Sequence, residues 1–120
     1  MNAAAQFTTP TTVEIGMIVA CSWGYEQTNV DFYEVVKFTA STATFQKVRS
    51  EKTATGDMTG VAVPVPGEFV QESQIRRKIQ NLSGAPIFKI NDSSYGRPAP
   101  FKLNEDGTKE YQPQRFSSYA

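Results

Sequence analysis

The chain has 120 residues, 39% of them hydrophobic, and twelve basic residues balance twelve acidic ones, so its formal net charge is zero. This length suits one domain with one hydrophobic core. The absence of histidine and the presence of a single cysteine, Cys21, exclude the usual zinc sites, histidine-dependent catalytic triads and an intrachain disulfide. We therefore predict that the protein uses no metal and no cofactor.

The first twelve residues lack periodicity and contain a threonine cluster around Pro10, which predicts a flexible N-terminal arm over residues 1–12. The arm lacks the positive charge and apolar stretch of a signal peptide. The longest strongly apolar run, residues 17–21, is too short to span a bilayer. Together with the lone cysteine, this predicts a cytoplasmic protein without membrane contact.

Apolar residues recur at every second position from Ile15 to Trp23, which predicts a β-strand. Five side chains should share its buried face: Ile15, Met17, Val19, Cys21 and Trp23. Buried in this way, Cys21 would be an inert small hydrophobic residue rather than a reactive thiol.

Residues 30–39 are rich in β-branched and aromatic side chains, and Ala40 and Ser41 can turn the chain into a third strand over 42–49. Glycines and prolines then interrupt residues 50–67, leaving a short edge strand over 58–65. Residues 75–82 and 87–90 predict a second hairpin. No segment predicts a helix.

These elements indicate an all-β protein, a small antiparallel SH3-like barrel of about five strands over residues 13–92. An OB-like barrel fits less well because no helix is predicted between its third and fourth strands. Residues 93–120 contain five aromatic residues among prolines and polar residues. They predict an irregular aromatic-containing extension that packs on the domain or on a partner.

Aromatic and polar side chains are concentrated around the loop that follows the first strand. They can stack bases or bind a proline-rich peptide, although Trp23 can equally belong to the core. The binding candidates are Trp23, Tyr25, Glu26, Gln27, Thr28, Asn29 and Tyr33.

Basic residues are unevenly distributed, because residues 37–102 hold ten bases against five acids. Strand alternation puts Arg76 and Lys78 on one face, away from Ile75 and Ile79. A phosphate-binding stripe and a merely solvated sheet face both explain this pattern. The candidates for a basic face are Lys47, Arg49, Arg76 and Lys78.

Catalysis has little support in the sequence. No glycine-rich phosphate loop of either common type is present. Glu26 and Asp31 flank the polar loop, but two acids at such a spacing are most simply solvated loop residues. We therefore predict a binding protein rather than an enzyme.

The segment from Ser22 to Tyr33, SWGYEQTNVDFY, resembles a motif of small bacteriophage and mobile-element proteins for which no activity is established. The likeness extends to Gly16, to 64-PVPG-67, to the 76-RRK-78 run and to the ending 116-FSSYA-120. The chain departs from the group at Glu105, because it reads Glu-Asp-Gly over 105–107 where the group has Trp-Asp-Gly. The resemblance implies a bacterial cytoplasmic setting and assigns no functional residue.

Two partners remain open at this point. The basic excess beside aromatic residues favours nucleic acid. Zero net charge, the aromatic extension and the phage-like setting favour a host bacterial protein, in which case the chain would inhibit or modulate a host enzyme or a defence system.

Overall fold

The computed structural model describes residues 6–24 and 27–117, and these ranges contain ten β-strands and no helix. Consequently, nothing in the described ranges qualifies as a helix long and apolar enough to cross a membrane. The strands are β1 (Ile18–Trp23), β2 (Asn29–Phe38), β3 (Thr42–Gly56), β4 (Thr59–Lys78), β5 (Gln80–Leu82), β6 (Ala85–Asn91), β7 (Ser94–Pro98), β8 (Phe101–Leu103), β9 (Lys109–Tyr111) and β10 (Gln114–Ser117).

Eight strands form one sheet in the order β10-β4-β3-β2-β1-β7-β6-β5, and β8 and β9 form a separate two-stranded sheet. Every strand pair is antiparallel. The predicted all-β class is therefore confirmed, as is the β2–β3 hairpin around Ser41. The predicted second hairpin of residues 75–82 and 87–90 is only partly right, because residues 80–82 pair with 85–87 while residues 75–78 belong to β4 and pair with β3.

The predicted number of five strands is wrong, and a barrel is not confirmed because neither sheet closes on itself. The predicted edge strand over 58–65 and part of the predicted strand over 75–82 belong to one long strand, β4. This strand runs through the glycine- and proline-rich stretch that was expected to be irregular. Its register against β3 shifts three times, at residues 46–48, 48–50 and 54–56 of β3, and the second shift spans the prolines. Such bulges let a strand carry residues that a regular ladder would not accept.

The predicted irregular extension also differs from the structure, since β7 to β10 all lie within residues 94–117. β7 pairs with β1, and β10 pairs with β4 through residues 59–62. The short strands are separated by turns and prolines, which is why alternation was hard to recognise in the sequence.

The sheet curls until β6 approaches the end of β4, where one side chain bridges the gap. The Arg77 guanidinium donates two hydrogen bonds to the Ile90 carbonyl, from Nε at 3.1 Å and from Nη2 at 2.9 Å. Ile90 is the extra residue of a bulge between β6 and β7, so its carbonyl is available to a side chain.

The two faces of the curled sheet carry separate core clusters. The first contains Phe45 and Phe88, whose rings meet edge to face with centroids 4.8 Å apart, together with Met17, Val19, Cys21, Val35, Ala43 and Ile90. The second contains Ile18, Val30, Phe32, Val48, Ala62, Ala99 and Tyr111. Because β1 and β2 contribute to both clusters, they are buried on both sides.

The predicted buried face of the first strand is only partly right. Met17, Val19 and Cys21 are buried as expected, whereas Ile15 is 62% exposed and Trp23 is 45% exposed. The strand begins at Ile18, so Ile15 precedes it, and Trp23 forms the last pair with β2 at the edge of the packed region.

The N-terminal segment contacts the small sheet. Thr8 and Phe101 exchange backbone hydrogen bonds of 3.0 Å, and the Lys102 ammonium lies 5.0 Å from the centre of the Phe7 ring. Residues 1–5 of the predicted arm lie outside the described ranges.

Candidate functional site

Trp23 is a solvent-exposed aromatic residue whose orientation is fixed. Its indole Nε1 donates a hydrogen bond of 2.8 Å to Oδ2 of Asp31, and the other oxygen of that carboxylate lies 3.3 Å from the Lys47 ammonium. The register of β1, β2 and β3 puts Asp31 between the other two residues. The indole is thus held in place without being buried.

The loop after Trp23 turns sharply at Gly24, which has a φ of +126°. A Cβ atom at this position would collide with the backbone oxygen of Gln27, so only glycine fits. Thr28 exchanges hydrogen bonds with Ser117 at the end of β10, which ties the loop to the last described strand. Of the predicted loop candidates, Tyr25 and Glu26 lie outside the described residues.

A small pocket of about 240 Å³ lies beside Trp23, and Asn29, Asp31, Lys52 and Phe116 help to line it. The Lys52 ammonium lies 5.6 Å from the centre of the Phe116 ring, within range of a cation–π contact. The structure therefore brings two predicted residues, Trp23 and Asn29, beside Lys52 and Phe116, which are distant from them in the sequence.

Tyr33 is unlike the other predicted binding residues, because it is half-buried and packs against the first core cluster. Burial raises the pKa of its phenol, and the Asp31 carboxylate adds to the shift. The neighbouring Cys21 is buried as predicted, and burial raises the pKa of its thiol, which disfavours the reactive thiolate.

The four basic-face candidates do not form one stripe. Lys47 is paired with Asp31, and Arg49 Nε lies 3.0 Å from a carboxylate oxygen of Glu68. Arg76 and Lys78 are exposed, but their cross-strand partners are Thr44 and Thr42, so alternation puts them on the face opposite to Lys47.

A larger cleft, of about 530 Å³, lies on the face of the sheet that carries the second core cluster. Hydroxyl and amide side chains dominate its polar lining, together with Tyr95 and Arg97. None of the described residues that line it is acidic. The polar and aromatic residues of this lining include Ser22, Ser94, Tyr95, Arg97, Gln112 and Gln114.

Tyr95 and Arg97 alternate with buried residues on β7, so both point out of the same face. Lys89 of β6 is directly opposite Tyr95 and is exposed beside the cleft. Neither Lys89 nor Arg97 has an ion-pair partner within the described ranges. We call these three residues the Lys89–Tyr95–Arg97 face.

Sequence reasoning missed this face because residues 93–120 were predicted to be irregular. The only indication of this face in the sequence was local alternation. Tyr95 and Arg97, two long side chains with polar ends, flank Gly96. Lys89 joins them through the β6–β7 register, and that register contains a bulge that the sequence does not reveal.

Acidic, cysteine and histidine side chains form no group of three or more that could hold a metal ion in the part of the chain that the structure describes. Comparison with known proteins adds no further information: no family model matches the chain, and neither a curated protein nor a solved structure is significantly similar to it.

Proposed function

We propose that this protein is a non-enzymatic binding protein and that its ligand is nucleic acid, bound at the Lys89–Tyr95–Arg97 face. The observation that carries the proposal is that two cations with no ion-pair partner in the described ranges and an exposed aromatic ring surround a cleft whose described lining contains no acid. The proposal includes the setting that the motif resemblance implies, the cytoplasm of a bacterial host. The SH3-like barrel predicted from the sequence is not needed for it.

The chemistry of this face suits a polyanion. Lysine and arginine bind phosphates by releasing condensed counterions, and a nearby carboxylate would oppose that attraction. Hydroxyl and amide groups add hydrogen bonds to phosphate, sugar or base atoms without adding charge. A cleft with these groups can therefore attract nucleic acid even though the net charge of the whole chain is zero.

The basic strand predicted from the sequence supports this function less well. Lys47 and Arg49 are already paired with acids, and only Arg76 and Lys78 remain exposed on their face of β4. A phosphate that approaches Lys47 or Arg49 must compete with a carboxylate at about 3 Å.

Fluorescence anisotropy with labelled oligonucleotides at low salt tests the proposal, since phosphate contacts are strongest there. Removal of both cations in Lys89→Ala/Arg97→Ala should weaken binding and reduce the slope of log K against log salt by about 1.4 to 1.8. Arg76→Ala/Lys78→Ala is the matched control, because it removes the same charge from another exposed strand and should bind normally. Absence of binding by the unmodified protein would refute the proposal, and an equal loss in both variants would refute the site.

Protein binding is the second candidate, because Trp23 is exposed and its orientation is fixed by Asp31. Tryptophan is enriched among the residues that dominate protein interfaces, and a fixed side chain loses little entropy on binding. In this alternative the chain inhibits or modulates a host bacterial enzyme or defence system. Affinity capture from bacterial lysate should then retain a discrete protein with the unmodified chain and lose it with Trp23→Ala.

A further inference from the structure

The geometry of the Lys89–Tyr95–Arg97 face points to single-stranded nucleic acid as its ligand, with one base stacked on Tyr95 and the flanking phosphates near Lys89 and Arg97. This inference rests on the proposed function and specifies its ligand class. DNA and RNA single strands share the chemistry that it requires.

The first argument is the accessibility of the aromatic ring. Tyr95 is 44% exposed and has a cation on each of two sides, Lys89 across the strand pair and Arg97 two residues along β7. Every base offers a flat π surface, so one ring can stack on any sequence. In a duplex the same surfaces are covered by neighbouring bases, and the ring could reach them only after they unstack.

The second argument is the spacing along β7. Two residues of a strand advance by about 6.8 Å, so Tyr95 and Arg97 are separated by about twice the 3.4 Å rise of one strand in duplex DNA. A strand that places a base on Tyr95 can therefore bring a phosphate of its backbone near Arg97. Single strands expose the base face that this arrangement needs, and a regular duplex does not.

The third argument is the shape of the site. Proteins that read duplex grooves insert a protruding helix or a two-stranded ribbon. Here Tyr95 and Arg97 line a recess together with Gln112 and Gln114. A recess admits a splayed base, and its amide groups can hydrogen-bond the base edge that pairing would hide in a duplex.

The surface around Trp23 is less suited to the same ligand. Asp31 lies within hydrogen-bond distance of the indole and would repel a phosphate brought close to it. Trp23 and Tyr95 are therefore not equivalent, although their exposures are nearly the same.

The experiment compares labelled oligonucleotides of about 20 nucleotides at low salt: oligo-dT, oligo-U and a duplex of matched length. We expect at least one single strand to bind about ten times more tightly than the duplex or better. Tyr95→Ala should weaken single-strand binding by about 5-fold or more, given the usual contribution of a base–aromatic stack, and Tyr95→Phe should restore it. Because Tyr95 is exposed, urea unfolding of both variants should match the unmodified protein.

The outcomes separate the two proposals. Equal binding of duplex and single strands, or full affinity in Tyr95→Ala, overturns the single-strand inference while the nucleic-acid function stands. Loss of single-strand binding in Trp23→Ala but not in Tyr95→Ala assigns the ligand to the other surface and also overturns it. If neither single strands nor duplex bind the unmodified chain, both proposals fail.

Discussion

Trp23 and Tyr95 are two aromatic side chains of nearly equal exposure, 45% and 44%, in different electrostatic surroundings. The Trp23 indole donates to a carboxylate that also binds Lys47. Tyr95 lies between two cations, and the described lining of its cleft contains no acid. Exposure alone would rank the two residues equally.

The difference shows that the groups beside an exposed aromatic ring determine which ligand it suits. The acid at Trp23 binds Lys47 and would repel an approaching phosphate, although Lys52 lines the same pocket, so that surface suits a protein partner. Among the described residues no acid pairs with the cations beside Tyr95, so we expect that surface to attract anions. Four predictions sharpen or break this contrast, and they are ordered by the size of the expected effect.

The backbone beneath Tyr95 should tolerate no added side chain. A Cβ atom at Gly96 would lie 2.5 Å from Cγ1 of Val19, which is fully buried. We expect Gly96→Ala to lower the free energy of unfolding by about 3 kcal/mol, the upper part of the range for overpacking, as measured by urea denaturation. The double variant Gly96→Ala/Val19→Ala should lose less unfolding free energy than the two single variants lose together. Simple additivity of the two losses would show that the contact is absent.

Alkaline pH should weaken the packing of Tyr111, a member of the second core cluster. Burial raises the pKa of Tyr111 to about 12, with a further contribution from the Glu34 charge. A tyrosine whose pKa is about 10 when unfolded and higher when folded releases its proton more easily from the unfolded chain. Tyr111 therefore contributes about 2 kcal/mol to the free energy of unfolding below pH 10. This contribution is lost between pH 10 and about 12.

Tyr111→Phe is the matched control for this pH dependence. It removes the titrating group and keeps the ring that faces Phe101 at 5.8 Å. The slope of unfolding free energy against pH should become shallower by up to one proton between pH 10 and 12. An unchanged slope would assign the alkaline loss to other groups.

The ion pair between Asp31 and Lys47, beside Trp23, should contribute less to the free energy of unfolding. Asp31→Asn keeps an acceptor for the indole but removes the attraction to Lys47, so we expect a loss of about 1 kcal/mol in urea denaturation. Glu68→Gln breaks the exposed pair with Arg49 and should produce no measurable change. Equal effects in the two variants would mean that the Asp31–Lys47 pair contributes no more to stability than the exposed Arg49–Glu68 pair.

The smallest expected effect is a spectroscopic one. Trp23 is the only tryptophan of the chain, so intrinsic fluorescence reports its surroundings directly. Saturation with oligo-dT should leave this emission unchanged if the ligand occupies the Lys89–Tyr95–Arg97 face. Strong quenching would place the ligand at Trp23 and abolish the functional contrast between the two residues.

The sequence predicted the fold class because alternation and β-branched content are local properties. Val19 and Cys21 were correctly expected in the core, and the turn at Ser41 was correctly located. The length of β4 was not predictable in the same way. A register shift between the pairs Val48–Phe69 and Ser50–Pro64 carries this strand through Pro66 and Gly67, and such shifts depend on the partner strand rather than on local composition.

The site was harder to predict than the fold because its residues meet through pairing. Lys47 and Arg49 appeared to be free bases until the structure brought Asp31 and Glu68 beside them. Conversely, Lys89 and Tyr95 are six positions apart and adjacent only through the β6–β7 register. Charge counts along the chain show which ions exist, and only the fold shows which of them are already paired.

The two hydrogen bonds from Arg77 to the Ile90 carbonyl restrict which residues position 77 can accept. Its planar guanidinium places two donors on one carbonyl freed by the bulge at Ile90, a geometry that a lysine ammonium does not reproduce. Its neighbours Arg76 and Lys78 point to solvent and meet no such demand. In related chains the middle position of this basic triplet should therefore remain arginine, while the outer two exchange freely among polar residues.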